Sequence, residues 1–150
     1  MLESADLTDV LVQSFSASLV QFGSFESLTL DIGISWAERD GGLLCRFSAK
    51  CFLYDAELGD EDEHTKEEHL LARMLCRIVC EYELNESDRE TLSNSEPEAV
   101  KSFAREVALP AAFPYIREAI SSMSTRLGFP RVTLGTFRPG SGMTFATRGL

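Results

Sequence analysis

Two neighbouring stretches of strict alternation constrain the fold of this chain most strongly. From Leu28 to Trp36, apolar side chains at even positions alternate with small or polar residues, and from Leu43 to Leu53 apolar side chains occupy the odd positions. A period of two is typical of a strand with one buried face. Between the stretches, Asp40-Gly41 tolerates the positive backbone angles of a tight turn. The sequence therefore predicts an antiparallel hairpin.

Two further segments show the same alternation. From Val10 to Gln21, apolar residues alternate with serines, which predicts a strand, with a helix over Leu7–Leu19 as the competing interpretation. Leu70–Leu84 also alternates, although its Leu-Ala-Arg-Met-Leu run suits a helix nearly as well. We interpret it as a strand, because three antiparallel strands before it offer an edge to pair with. The sequence thus predicts four strands.

Prolines and a glycine mark the helical part of the chain. The capping box that begins at Ser95 predicts a helix from about Glu96 to Leu109, ending before Pro110. A second helix is predicted with Pro114 in its first turn and Gly128 at its end. Its apolar residues recur at three- and four-residue spacing, which gives the helix one buried stripe. They are Ile116, Ala119, Ile120, Met123 and Leu127.

Acidic residues concentrate before the fourth predicted strand. Residues 55–68 carry eight carboxylates and the single base Lys66, and we interpret this segment as a solvated loop. The alternative is a patch for a basic partner, formed by Asp60, Glu61, Asp62 and Glu63. The carboxylates lack the order of an EF-hand loop, so we predict no metal site. Residues 85–95 are predicted to form a polar loop.

Charge and composition limit the function further. The 150 residues carry a net charge of −10, but residues 111–150 contain one acid and five bases. An acidic total argues against broad nucleic-acid binding, because phosphate contacts require a basic face. No signal-like segment and no run of ~20 apolar residues is present, so we expect a cytoplasmic protein without membrane insertion. The four cysteines are expected to be free thiols.

Signatures of catalysis and of cofactor binding are missing from the sequence. It contains neither of the glycine-rich phosphate-binding motifs, and His64 and His69 do not form a zinc-protease motif. Gly140-Ser141-Gly142 lacks the surroundings of a nucleophile elbow. We therefore expect no catalytic residue, no cofactor and no metal. An enzyme would need a deep closed pocket, which a sequence pattern does not reveal.

Two Phe-Pro segments, and the helix between them, resemble the SecB family of bacterial chaperones. Phe113-Pro-Tyr-Ile-Arg-Glu118 is similar to the Phe-Pro-Tyr-Ala-Arg-Glu helix of that family, and Phe129-Pro-Arg-Val-Thr-Leu134 to its Phe-Pro-x-Leu-x-Leu. The resemblance implies an α+β fold, in which helices pack on one face of a four-stranded antiparallel sheet. It implies one domain over residues 1–150, with flexible ends at 1–9 and about 140–150. It also implies a homotetramer built as a dimer of dimers.

The resemblance implies an ATP-independent holdase, which binds unfolded polypeptides and opposes their folding by mass action. The clients would be exported preproteins or a labile antitoxin. After Arg138 the chain lacks the helix that helps export chaperones engage the SecA motor, and it is more similar to SecB-like chaperones that accompany toxin-antitoxin systems. The alternative is an interaction module that recognises one basic partner.

The resemblance places the client groove between the first inter-strand connection and the C-terminal segment. Aromatic, methionine and leucine side chains on these two segments would form an adaptable apolar surface. The candidates are Phe22, Phe25, Leu134, Phe137, Met143 and Phe145. The alternative is that these residues close the edge of the core. The second predicted helix carries more apolar surface than one small sheet face needs for its own burial. This surplus predicts a subunit interface formed by Tyr115, Ile116, Ile120 and Met123.

Overall fold

Four long strands follow the four alternating segments of the sequence. In the computed structural model, which describes residues 5–58, 62–93, 97–132, 134 and 143–145, β1 spans Asp6–Leu19, β2 Ser27–Arg39, β3 Gly42–Tyr54 and β4 Leu70–Glu83. The four predicted strands are confirmed with small shifts of their ends, and the helical alternatives for the first and the fourth are wrong. Residues 6–9, expected to be part of a flexible end, lie in β1.

The strands form one sheet in the order β1-β4-β3-β2, and each of these pairs is antiparallel. β2 and β3 pair from Ser27 opposite Tyr54 to Arg39 opposite Gly42. Asp40 and Gly41 form the turn with φ angles of 50° and 76°, as such a hairpin requires. The four-stranded antiparallel sheet is confirmed. A short strand that the sequence did not predict, β5 (Met143–Phe145), adds a parallel edge beside β2.

The connection between β1 and β2 has to cross the sheet, because these strands lie on opposite sides of the β3–β4 pair. Residues 20–26, which we call the crossover, run past the end of β4 and the end of β3. The Val20 N–H donates to the Leu71 carbonyl at 2.7 Å, and the Glu26 N–H donates to the Tyr54 carbonyl at 2.9 Å. At Gly23 a Cβ would lie 2.7 Å from Leu71 Cδ2, so a larger residue at this close passage would displace the Leu71 side chain.

Helices cover one face of the sheet. α4 (Leu109–Arg126) contacts β1, β3 and β4, and it follows α2 (Glu86–Ser93), α3 (Pro97–Phe103) and a π-helical segment, Ala104–Ala108, that joins α3 to α4. A further short helix, α1 (Glu63–Glu68), connects β3 to β4 and buries no residue. Phe47 of β3, Ile78 of β4 and Ile120 of α4 are buried in the common core. None of the helices in the described part of the chain has the length and apolar character needed to cross a membrane.

Two segments predicted as loops contain helices. The polar segment 85–95 contains α2, because Asn85 Oδ1 accepts from the Asp88 N–H at 2.8 Å and satisfies a free donor of the first turn. The acidic segment 55–68 contains α1, where Asp62 Oδ1 accepts from the Thr65 N–H at 2.8 Å. In both cases a side-chain cap starts a helix that carries little apolar character, which periodicity does not detect.

The predicted helix boundary before Pro110 is wrong. The chain passes from α3 through the π-helical segment into α4, where Pro110 occupies the first turn and Pro114 lies inside the helix. Leu109 N–H donates to the Ala104 carbonyl, five residues back, so the hydrogen-bond ladder is already offset where the proline N–H is missing. Burial of Ala108, Leu109 and Ala112 keeps the chain helical.

The predicted end of α4 at Gly128 is confirmed. Gly128 has a φ of +92°, and its N–H donates to the Thr125 carbonyl at 3.0 Å. The Phe129 N–H donates to the Ser124 carbonyl, also at 3.0 Å. These two bonds form a Schellman motif, which favours glycine at the left-handed position.

We predict that Gly128→Ala lowers the free energy of unfolding by about 1 kcal/mol, because an L side chain is strained at this φ. The substitution isolates the backbone effect, since nothing lies within 4 Å of the added Cβ. Gly128→Asn is the matched control and should lose less, because asparagine tolerates the left-handed region. Urea denaturation followed by circular dichroism measures both, and equal losses would contradict this account.

Candidate functional site

The crossover and the C-terminal segment meet the same strand, β2. The crossover leads directly into β2, where the Ser27 hydroxyl donates to the Ala56 carbonyl. β5 lies along the outer edge of β2, with Met143 opposite Ile32 and Phe145 opposite Ile34. The two segments that the resemblance assigned to a client groove are therefore both placed at β2.

The candidate groove residues occupy different environments. Phe22 is 89% exposed, whereas Phe25 is partly buried and packs against the core. Leu134 is buried within the core cluster, as the alternative interpretation expected. Met143 and Phe145 have their backbones in β5, and Phe137 lies outside the described residues. Among the candidates whose side chains the structure describes, which are Phe22, Phe25 and Leu134, Phe22 is the one open to a ligand.

The backbone around Phe22 is held on both sides. Before it, the Val20 and Gln21 N–H groups donate to the Leu71 carbonyl, and Gln21 Nε2 donates at 2.9 Å to the carbonyls of Glu68 and Leu70. After it, Glu26 is bound to the end of β3. An aromatic side chain exposed to water on an anchored backbone is suited to contact another molecule. The backbone is already ordered, so binding loses less conformational entropy.

An exposed apolar row lies on the edge strand β1. Its pairing with β4 sets Leu7 opposite Tyr82, Val12 opposite Ile78 and Phe15 opposite Cys76, which places these side chains on the helix-bearing face. The helices leave the row open, and Phe15 is 50% exposed. The sequence revealed β1 as a strand but gave these residues no function, because alternation alone does not show that a strand lies at an edge.

The predicted interface residues separate into two groups. Ile116, Ile120 and Met123 are buried in the core beneath α4, so their own sheet covers them. Tyr115 points away from the sheet and is 47% exposed. Of the four residues, Tyr115 is the one with an exposed side chain.

The predicted acidic patch coincides with the start of α1. Asp62 caps the helix and Glu63 opens its first turn, while Asp60 and Glu61 lie outside the described residues. The hydrogen bond from the Thr65 backbone N–H lowers the pKa of Asp62. Asp62, Glu63, Glu67 and Glu68 are exposed, so the carboxylates of α1 face solvent.

The four cysteines are free and buried. Burial raises the pKa of Cys76 and of Cys80 to about 11 and that of Cys51 to about 12, and it also raises the pKa of Cys45. At neutral pH the thiols are therefore protonated, and the protonated form is a poor nucleophile and metal ligand. Among the described residues, no cluster of three or more His, Cys, Asp or Glu side chains is arranged to hold a metal ion.

Comparison with known proteins identifies the fold. No protein-family model and no curated protein matches the sequence. The structure is similar to that of the Mycobacterium tuberculosis Rv1957 SecB-like chaperone, solved in complex with a ChAD peptide from the Rv1956 HigA1 antitoxin. The match covers 90% of this chain and 92% of that chain, with a TM-score of 0.65 and 20% sequence identity. The chain therefore has the fold of a SecB-like chaperone, as the sequence resemblance implied.

We predict that the native protein is inert to Ellman's reagent at pH 8, because its thiols are both buried and protonated. After denaturation in urea, all four cysteines should react. Absorbance of the released chromophore counts the thiols. Rapid reaction of even one thiol in the native protein would contradict the assigned burial.

Proposed function

We propose that the protein is an ATP-independent holdase, which binds unfolded or aggregation-prone polypeptides and keeps them soluble. The observation that carries this proposal is Phe22, an exposed aromatic side chain on a crossover fixed by hydrogen bonds on both sides. The SecB-like fold supports the same function. Such binding needs no covalent step, because a protein that binds only the unfolded state opposes folding and aggregation by mass action.

The proposed client site lies around Phe22 and Phe25 and continues along β2 toward β5. Phe25 packs against the core and supports the base of the crossover, while Phe22 projects from it. Apolar side chains of an unfolded client would cover Phe22 and exclude water from it. Contacts of this kind depend on hydrophobicity rather than on sequence, which suits a protein that accepts many segments.

We further propose that the client is an antitoxin rather than an exported preprotein. Rv1957 is a SecB-like chaperone solved with an antitoxin peptide, and its fold covers most of the present chain. The sequence after Arg138 contains glycines and a proline, which argue against a helix there. Binding to the SecA motor would be expected only if the clients were exported preproteins. The sequence pattern lacks the helix that assists this binding in export chaperones.

The chain is proposed to assemble as a dimer of dimers through two separate apolar surfaces. One is the β1 row of Leu7, Val12 and Phe15, and the other lies on α4 around Tyr115. β1 is an edge strand of 14 residues, and an exposed edge of this length is a template for pairing with another chain. Two distinct surfaces on one protomer are what a dimer of dimers requires.

A second candidate function is a module that recognises one basic partner. It is favoured by the exposed carboxylates of α1, which begin at Asp62 and continue to Glu68. The breadth of binding separates the two functions. A holdase protects several unrelated unfolded proteins from aggregation, whereas a module for one partner protects none of them.

We predict that the wild-type protein suppresses the aggregation of a chemically denatured model client without ATP, and that Phe22→Ala needs roughly tenfold more protein for the same protection. Covering a phenylalanine contributes about 1.5–3 kcal/mol, which corresponds to tenfold or more in affinity. The turbidity of the client solution measures the protection.

Val107→Ala is the matched control, because it removes another exposed apolar side chain, from the helical layer. It should protect the client as the wild type does. A wild-type protein that fails to delay aggregation would refute the holdase function, and equal protection by the Phe22 variant would move client binding elsewhere.

We predict that Phe15→Asp and Tyr115→Asp each reduce the tetramer to a dimer, and that the double variant is a monomer. A carboxylate at either surface would have to be desolvated on assembly, which opposes association. Multi-angle light scattering gives the masses of the variants. Circular dichroism verifies that each variant, substituted at a partly exposed position, still folds. An unchanged mass for either single variant would exclude that surface as an interface.

A further inference from the structure

One part of the sheet face turned away from the helices carries a charge opposite to that of the whole protein. Cross-strand pairing places the even residues of β3 and the odd residues of β4 on this face. Four of them are bases, Arg46, Lys50, Arg73 and Arg77, which we call the basic face. Along the rows that hold these bases, one acid shares the surface, Asp31 of β2 opposite Lys50. In a protein of net charge −10, this is a concentrated positive surface.

The bases alternate with uncharged side chains in a regular pattern. Along β4 the face reads Arg73, Leu75, Arg77, Val79, and along β3 it reads Arg46, Ser48, Lys50, Phe52. The register sets Arg73 beside Phe52, Lys50 beside Leu75, and Arg46 beside Val79. Because residues two apart in a strand are separated by about 7 Å, the four bases follow a zigzag roughly 20 Å long.

The basic face is available to a ligand. Lys50, Arg73 and Arg77 are exposed. Arg46 is half-buried, and its Nε lies out of solvent without a hydrogen-bond partner among the described residues. Within the same part of the chain, the ion pairs are formed by other bases. A concavity of about 380 Å³ opens at one end of the face. It is lined mainly by Ser16, Ser18, Lys50, Phe52, Arg73 and Leu75.

We propose that the basic face binds an acidic polypeptide segment of a partner protein, in which carboxylates alternate with apolar side chains along one side. An extended chain repeats its side chains on one side every ~7 Å, which matches the spacing of bases and apolar residues along β4. Carboxylates would pair with Arg73 and Arg77, while apolar side chains would cover Leu75 and Phe52. This site is independent of the proposed client site at Phe22.

A polypeptide fits this surface better than a nucleic acid does. The apolar residues between the bases offer contacts that a phosphate backbone does not use. Beyond Arg46 the same face turns acidic, since Glu81 lies opposite Asp9 and Leu44. A long polyanion would meet these carboxylates, whereas a segment of about eight extended residues spans only the basic part.

The test measures binding of a fluorescein-labelled peptide made of two Glu-Glu-Leu-Leu repeats by fluorescence anisotropy at low ionic strength. R73Q/R77Q should bind it roughly tenfold more weakly than the wild type, because two exposed ion pairs are lost. The matched control is R105Q/R126Q, which removes the same charge from two exposed bases of the helical layer. The control should bind within about twofold of the wild type, since screening limits the effect of distant charges.

Equal affinities for R73Q/R77Q and R105Q/R126Q would overturn the proposal. So would a single-stranded DNA of equal charge that binds more tightly than the peptide and loses its affinity in R73Q/R77Q, because the face would then belong to a nucleic acid. The client-aggregation assay separates this proposal from the holdase function. R73Q/R77Q should protect an unfolded client as well as the wild type does, while the acidic peptide loses its site.

Discussion

The insertion of β4 between β1 and β3 is the constraint on which the rest of the structure depends. Strands one and two follow each other in the chain, yet the pairing of β4 with both β1 and β3 sends them to opposite sides of the sheet. The connection between them must then cross the sheet end. The crossover, the exposed position of Phe22 and the open edge of β1 all follow from this single arrangement.

The local strands could be predicted from the sequence, because their alternation is encoded residue by residue. Leu28–Trp36 and the Asp40-Gly41 turn specify a hairpin without reference to the rest of the chain. The position of β1 beside β4 could not be predicted in this way. It depends on pairs such as Phe15 with Cys76, which are 61 residues apart in the numbering, and strand order of this kind is set by non-local contacts.

The apolar stripe of α4 illustrates a second limit on what can be predicted from the sequence. Periodicity shows that Ile116, Ile120 and Met123 share one side of a helix, but it does not show how much apolar surface the sheet needs to cover. In the structure the sheet covers all three. The surfaces that we propose for assembly lie outside that stripe, at Tyr115 on α4 and Phe15 on β1. An interface requires exposure, and exposure becomes visible only in three dimensions.

The proposed assembly would raise the affinity of the protein for its proposed client. One phenylalanine such as Phe22 contributes about 1.5–3 kcal/mol when covered, which alone would give a very weak complex. Four crossovers in a tetramer, contacted by successive segments of one unfolded client, convert the later contacts into intramolecular ones and raise the overall affinity by orders of magnitude. Once the client folds, its apolar segments are withdrawn and these contacts are lost together. A holdase built in this way needs no nucleotide to release its client, because each single contact is weak.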